Sequence, residues 1–184
     1  MYLLLLSIGF AEEFQLQEQK TESPVLRNYI NMRMGVSSAT TNGHPSLCLE
    51  VGLPNQLSIE SCGTGYGFVH RDPGIDFVHF RGKYSLFRSD LSRSVLSGQV
   101  GAGFAEIQVS EDQYGFQFGG TGSGHETAGP EVNGTAQWVR QVGKRSEIVV
   151  DGNVGIAYFH HAPSLSLPQS QWFPFAECSV GVGW

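Results

Sequence analysis

The stretch AECSVGVGW, residues 176–184, alternates strictly between apolar side chains and small or polar ones. Its apolar positions are Ala176, Cys178, Val180, Val182 and Trp184. A period of two residues is typical of a β-strand whose two faces meet different surroundings. The stretch therefore predicts a strand with one apolar face and a tryptophan ring at its end.

The same alternation recurs from residue 28 onward, in segments of about ten residues separated by clusters of Gly, Pro, Asn, Asp and Ser. Before the terminal stretch, the segments are NYINMRMGVSS (28–38), SLCLEVGL (46–53), LSIESCGTG (57–65), VHFRGKYSL (78–86), SGQVGAGF (97–104), VNGTAQW (132–138) and IVVDGNVGIAY (148–158). In the fifth segment the phase slips near Ala105, which predicts a bulge before Ile107 and Val109. The terminal stretch is the last of eight such segments.

Composition limits the protein classes that this chain can belong to. Glycine accounts for 24 of the 184 residues, about twice its usual share. A net charge of −6 argues against a nucleic-acid partner, and no apolar run reaches the ~20 residues of a membrane-spanning helix. If this protein crosses a bilayer, it does so with strands.

Residues 1–11, MYLLLLSIGFA, form a short apolar run that ends in small residues and is followed by polar EEFQLQEQK. This pattern predicts a signal peptide and export, although the usual basic start is missing. The alternative is an N-terminal strand or a disordered tail. Residues 12–27 are interpreted as a mobile leader or a short helix, and residues 28–184 as one β-barrel domain.

Alternation alone does not decide which face of the barrel lies inside. The polar face consists largely of Gly, Ser, Thr, Asn and Gln with a few charges of both signs, which suits a narrow hydrogen-bonded lumen. The apolar face is nearly free of charge, as a lipid-facing surface must be. We therefore predict an all-β fold: an eight-stranded, antiparallel, up-and-down transmembrane barrel with a polar lumen and an apolar exterior.

The end of the chain resembles the C-terminal strand signal of bacterial outer-membrane β-barrels, through Val180, Val182 and Trp184. In that family the barrel-assembly machinery recognises the last strand with its final aromatic residue. Together with the eight segments, the chain resembles the small barrels of the OmpA/OmpX/OmpW type. The resemblance implies the outer membrane of a Gram-negative bacterium, contact with outer-membrane lipids and lipopolysaccharide, and a monomer.

The connections and their charges fit this topology. The links at 41–44, 70–74, 110–130 and 160–172 would lie outside, and those at 54–56, 89–93 and 141–145 at the periplasmic side. Basic residues cluster at the periplasmic turns, namely Arg88, Arg93, Arg140, Lys144 and Arg145. Acidic residues are assigned to the outside, namely Asp72, Glu111, Asp112, Glu126 and Glu131.

Two cysteines are predicted to form a disulfide. A turn at residues 54–56 pairs Leu53 with Leu57, and the same register sets Cys48 opposite Cys62. Opposite positions are close enough for the bond, which persists in an oxidising compartment. The alternative is two small thiols brought close by chance. Cys178 lies on the apolar face and is interpreted as unpaired.

The inward charges are predicted to form a network across the lumen. The hairpin register places Glu50 opposite Glu60, a second register places Lys83 beside Glu60, and the first hairpin brings Arg33 to Glu50. The predicted network comprises Arg33, Glu50, Glu60, Arg81, Lys83, Asp151 and Glu177. Adjacent carboxylates can form an acid/base pair, but ion pairs that fill a narrow lumen are the favoured interpretation.

Five of the six histidines fall in or beside the predicted outer loops. Clustered imidazoles can bind a metal, or His160 or His161 can act as a general base beside Ser164. The second idea resembles PagL-like lipid A deacylases, but their His-x-Ser-Asn pattern is absent, so no catalytic residue, metal or cofactor is assigned.

Three functions fit these observations. The favoured one is an outer-membrane barrel with a structural or surface-interaction role and a plugged lumen. The second is a lipid A-modifying hydrolase, and the third is a soluble, lipocalin-like carrier of an apolar ligand.

Overall fold

A computed structural model of the chain describes residues 30–41, 44–64, 74–109 and 124–184. The predicted signal peptide and leader lie outside the described residues. The described strands are β1 (Ile30–Ser37), β2 (Pro45–Gly52), β3 (Leu57–Thr64), β4 (Ile75–Leu91), β5 (Ser94–Val109), β6 (Glu126–Gln141), β7 (Glu147–Tyr158) and β8 (Trp172–Gly183). A single-turn 3₁₀ helix, Ala162–Ser164, lies between β7 and β8. No helix among these residues is long and apolar enough to cross a membrane.

The strands form one closed antiparallel barrel in which each strand pairs with its neighbours in sequence and β8 pairs with β1. Ile30 and Trp184 complete the closure through two backbone hydrogen bonds of 3.1 and 3.2 Å. Closure removes the free sheet edges that would otherwise leave backbone groups without partners. The prediction of an eight-stranded up-and-down barrel is confirmed.

The hairpin of β2 and β3 has the predicted register. The Leu53 amide donates to the Leu57 carbonyl at 2.8 Å across the turn, and Cys48 lies directly opposite Cys62. The two cysteines form a disulfide. In the turn, Asn55 and Gln56 both adopt a positive φ, a conformation that strains a residue with a side chain.

The predicted register between β3 and β4 is wrong by two residues. Glu60 pairs with Arg81, and Lys83 pairs with Ser58. The connection between these strands is long, so turn geometry does not fix their register. Because the error is an even number, every side chain keeps its predicted face.

The two ends of the barrel differ. Short links at 53–56, 92–93 and 142–146 lie at one end, here called the turn end, together with the start of β1 and the end of β8. The strand ends that are joined by the longer links, at 38–44, 65–74, 110–125 and 159–171, lie at the opposite end, here called the loop end. The basic residues assigned to the short turns are exposed at the turn end.

The predicted bulge near Ala105 is also wrong. Pairing between β4 and β5 is continuous there, and its irregularity lies between Ser85 and Phe87. Ala105, Ile107 and Val109 instead point inward and are buried. The prediction assumed a uniformly polar interior, whereas the loop end of the barrel interior is apolar.

Large apolar side chains cover the outside of the barrel. Leu49 is 45%, Val154 63% and Val180 56% exposed, whereas Glu50 and Asp151 are buried inside. The outward apolar residues form an apolar belt, to which every strand contributes: Ile30, Met32, Met34, Val36, Leu47, Leu49, Leu57, Ile59, Phe80, Tyr84, Val100, Phe104, Val132, Val154, Ile156, Val180 and Val182. At the level of Glu50 and Asp151, the interior is therefore charged. A lipocalin-like carrier would have an apolar interior there, so this assignment of faces rules out that interior.

Candidate functional site

The middle of the barrel interior holds a buried cluster of charged side chains. Because side chains alternate along a strand, the positions between the belt residues point inward. Three cations and five carboxylates meet there, and we refer to them as the lumen cluster: Arg33, Arg81, Lys83, Glu50, Glu60, Glu131, Asp151 and Glu177.

Arg33 on β1 connects carboxylates from three other strands. Its guanidinium donates to Glu50 at 2.9 Å and to Asp151 at 3.0 Å, and its second terminal nitrogen donates to Glu60. The Arg33 side chain is only 1% exposed. A planar guanidinium with five N–H donors suits this role, because it can bond several carboxylates at once.

Glu60 on β3 is the carboxylate with the most cationic neighbours. Besides Arg33, it accepts hydrogen bonds from Arg81 Nε at 2.7 Å and from Lys83 Nζ at 2.7 Å. Lys83 Nζ also lies 3.1 Å from Glu50. Although Lys83 is not directly opposite Glu60, its long side chain covers the two-residue offset. All seven residues of the predicted network therefore lie in one cluster.

Neutral side chains that sequence analysis did not single out add hydrogen bonds to the lumen cluster. Gln137 donates to Glu50 at 2.9 Å and to Asp151 at 3.3 Å. The Ser58 hydroxyl donates to Glu50 at 2.7 Å, and the Asn31 amide donates to the same carboxylate at 3.2 Å. The signal in the sequence that could have identified them is their position in the alternating segments, where all three lie on the face that points inward.

The side of the cluster nearest the loop end contains Glu131, His79 and Glu177. Glu131 was assigned to an outer loop, and this prediction is wrong: β6 begins at Glu126, so Glu131 lies within the strand and is 2% exposed. Glu131 lies 3.7 Å from Arg81. His79 lies 3.8 Å from Glu177 and 4.0 Å from Glu131.

The oxygens of Glu50, Glu60 and Asp151 lie within 4.8 Å of one another, a spacing that could hold a metal ion. Cations of the chain already meet these three carboxylates, since Lys83 and Arg33 each contact all of them. The donor set therefore fits an internal ion network better than a metal site.

Glycine makes room for the large cationic side chains. Gly103 on β5 lies opposite Arg81, and a Cβ at this position would come within 2.1 Å of the Phe80 carbonyl oxygen and 2.7 Å of the Arg81 Cβ. A side chain there would collide with backbone. The glycine-rich composition thus has a steric role beside the lumen cluster.

An apolar cap covers the lumen cluster on the loop side. Its buried members are Ala39, Phe77, Ala105, Ile107, Val109, Ala157, Phe159, Ala162, Leu165 and Phe175. The ring centroids of Phe77 and Phe175 lie 5.0 Å apart, and those of Phe77 and His79 lie 5.5 Å apart. Because Ala162 and Leu165 belong to the connection between β7 and β8, this connection forms part of the cap.

The described loop histidines do not form the arrangement considered from sequence. His160 and His161 stack edge to face at 4.8 Å, and Tyr158 Oη lies 3.5 Å from His160 Nδ1. Within the described part of the chain, no hydrogen bond joins the Ser164 hydroxyl to either histidine. Ser166 instead contacts His125, with 3.2 Å between its Oγ and Nδ1.

The three residues of the predicted assembly signal lie on the outer face of β8. Val180 is 56%, Val182 53% and Trp184 55% exposed. Cys178 on the same face is a free, exposed cysteine. The terminal aromatic ring thus lies at the turn end, at the edge of the apolar belt.

No family model matches this chain, and no curated protein matches it by sequence. Solved structures of other barrels are similar to it. The N-terminal β-barrel domain of Pseudomonas aeruginosa OprF has 10% identity and a TM-score of 0.47, covering 85% of this chain and 98% of that one. Ail, the attachment invasion locus protein of Yersinia pestis, has 12% identity and a TM-score of 0.42, with 84% and 93% covered. A de novo designed transmembrane β-barrel has 12% identity and a TM-score of 0.40, with 85% and 94% covered.

Proposed function

We propose that this protein is an outer-membrane β-barrel of a Gram-negative bacterium, with a structural or surface-interaction role carried by its loop end. The observation that supports this most strongly is the inverted distribution of side chains. Charged residues fill the middle of the interior, while leucine, valine, methionine and phenylalanine cover the outside. In water such a belt would be a large exposed apolar patch, whereas in a bilayer it meets hydrocarbon.

The two ends support an orientation in the membrane. Outer-membrane barrels have short periplasmic turns and longer outer loops, so the turn end would face the periplasm. Trp184 would then lie at the periplasmic interface, where an amphipathic ring is favourable. On this proposal, Val180, Val182 and Trp184 form the strand that the barrel-assembly machinery recognises, and the loop end contacts lipopolysaccharide and other outer-surface lipids.

We further propose that the lumen is plugged. Two successive layers support this: the lumen cluster, whose bulky charged side chains are buried, and the apolar cap above it. An ion crossing the barrel would have to break buried ion pairs and then pass a packed aromatic layer. The expected result in a planar bilayer is the absence of a large, steady conductance, and a stable open pore would contradict the plug.

The membrane proposal is tested by placing a charge on the apolar belt. Val154→Lys should destabilise the folded barrel in lipid vesicles by about 2–4 kcal/mol, because the lysine would face hydrocarbon. The control is Val142→Lys, since Val142 is 57% exposed but lies in a turn. In a soluble barrel both positions would face water, so equal and small effects would contradict the proposal.

A second candidate function, hydrolysis of an acyl ester in outer-leaflet lipid, is favoured by the Ser166–His125 contact. The Ser166 hydroxyl would attack the ester carbonyl as His125 accepts its proton, and the sugar oxygen would then leave with that proton, so that the acyl group stays on Ser166. Water would next attack this acyl-enzyme, which would release the fatty acid and restore the Ser166 hydroxyl. Lipid A mass spectrometry tests it: Ser166→Ala should restore the acyl chain, whereas the control Ser164→Ala should not. If lipid A keeps all its acyl chains in cells that produce the native protein, this activity is excluded.

A further inference from the structure

The basic residues at the turn end are concentrated on one side of the barrel. Arg93 lies in the link between β4 and β5, Arg140 near the end of β6, and Lys144 and Arg145 in the link between β6 and β7. We refer to these four as the basic patch. They are contiguous, because Arg140 pairs with Ser94 and the Gln141 amide donates to the Arg93 carbonyl at 3.0 Å. The remaining short link, at 53–56, carries no charge.

The members of the basic patch are exposed, and no ion pair joins them to a carboxylate in the described part of the chain. Arg88, on the same hairpin as Arg93, differs because its Nε lies 2.9 Å from Asp90. Glu147 is on the same hairpin as Lys144 and Arg145, but its position has inward parity and pairs with Gly183. Within the described ranges, four cations without an ion-pair partner thus lie together on a protein whose net charge is −6.

The patch borders apolar surface directly. Arg140 is two residues from Trp138 on the same outward face of β6, and Trp138 pairs with Leu96, which is 39% exposed. Leu91, at the end of β4 and close to Arg93, is 53% exposed. A surface that is apolar and then abruptly cationic matches a phospholipid, whose acyl chains lie beside its phosphate.

We propose that the basic patch is a docking site for the phosphate groups of anionic phospholipids, on the leaflet that meets the turn end. Arginine can bond a phosphate through two parallel N–H donors, and long basic side chains can extend from an apolar surface to the headgroup layer. Continuity with the apolar belt favours a lipid over a soluble anion. The inference rests on the proposed membrane location and adds a lipid preference to it.

The test uses tryptophan fluorescence quenched by brominated lipids. Trp172→Phe with Trp184→Phe leaves Trp138 as the reporter beside the patch. This protein is reconstituted in vesicles that mix phosphatidylcholine with phosphatidylglycerol, with the bromine on one lipid or the other. We expect brominated phosphatidylglycerol to quench Trp138 more strongly, and the preference to weaken as salt rises.

The decisive variant is Arg140→Gln with Lys144→Gln and Arg145→Gln, made in the same background. The preference of this variant for phosphatidylglycerol should fall by up to about fivefold for each basic residue that is replaced. Arg88→Gln is the matched control, because that arginine already has a carboxylate partner, and it should leave the preference nearly unchanged. Heat-modifiable mobility on gels verifies that each variant is folded.

Equal quenching by both lipids, or a preference that survives the triple substitution, would overturn the proposed docking site. A preference abolished by millimolar glycerol phosphate would also overturn it, in favour of a free phosphate ligand. Absence of quenching by either brominated lipid would instead refute the membrane location itself.

Discussion

Arg33→Met is the substitution that tests the lumen cluster most directly. It removes the guanidinium that contacts Glu50, Glu60 and Asp151, while roughly keeping side-chain volume. The cluster has fewer permanent cations than carboxylates, so the loss leaves buried negative charge that the remaining cations do not offset. Removing one partner of a buried ion pair costs about 3–5 kcal/mol, and we expect a loss of unfolding free energy in this range.

The assay is urea unfolding of the barrel in lipid vesicles, followed by gel mobility and tryptophan fluorescence. With a slope of roughly 2–3 kcal/mol per molar urea for a chain of this size, the midpoint should fall by about 1–2.5 M. The matched control is Arg88→Met, which breaks an exposed pair with side chains 47% and 64% accessible and should cost less than about 1 kcal/mol. Equal midpoint shifts for the two variants would refute the argument that the cluster stabilises the barrel through buried charge pairing.

Three further predictions concern the backbone and the disulfide. Gly103→Ala should destabilise the barrel by about 1–3 kcal/mol or prevent folding, since its Cβ would collide with a backbone oxygen. The control is Gly82→Ala, because a Cβ at that position meets nothing within 4 Å. Equal urea midpoints for the two variants would contradict the clash. Gln56→Gly should raise the free energy of unfolding by up to about 1 kcal/mol, because φ at this position is 64°. A loss of stability would show that the Gln56 side chain makes a compensating contact. Replacing Cys48 and Cys62 together by serine should lower the free energy of unfolding by up to about 3 kcal/mol, because the unfolded chain becomes more extended without the bond. Cys178→Ser is the control. Identical urea midpoints with and without reductant in the native protein would argue against the bond.

The alternation of side chains was sufficient to predict much of the architecture. Strand number, the two faces and the order of short and long links follow from a period of two, which is a local property. The pairing of Cys48 with Cys62 was also predictable, because a short turn fixes the register of its hairpin. Parity likewise identified the inward charges, such as Arg33 and Asp151, without any knowledge of their partners.

The errors fall where local pattern does not determine the answer. The register of β3 against β4 depends on a long connection, so Glu60 was assigned to Lys83 instead of Arg81. Glu131 was assigned to a loop because the start of β6 carries no strong alternation. The bulge predicted before Ile107 is wrong because nothing in the sequence distinguishes an apolar cap from an apolar exterior.

Side-chain alternation alone indicates that the chain has two kinds of face and, outside residues 105–109, which residues share each of them, because side-chain direction along a strand follows from covalent geometry. Only the closed barrel decided which residues meet across the lumen. Arg33 and Asp151 are 118 positions apart in the chain, and their contact depends on the curvature and stagger of all the strands together. Those quantities are set by closure and packing, which no single segment encodes.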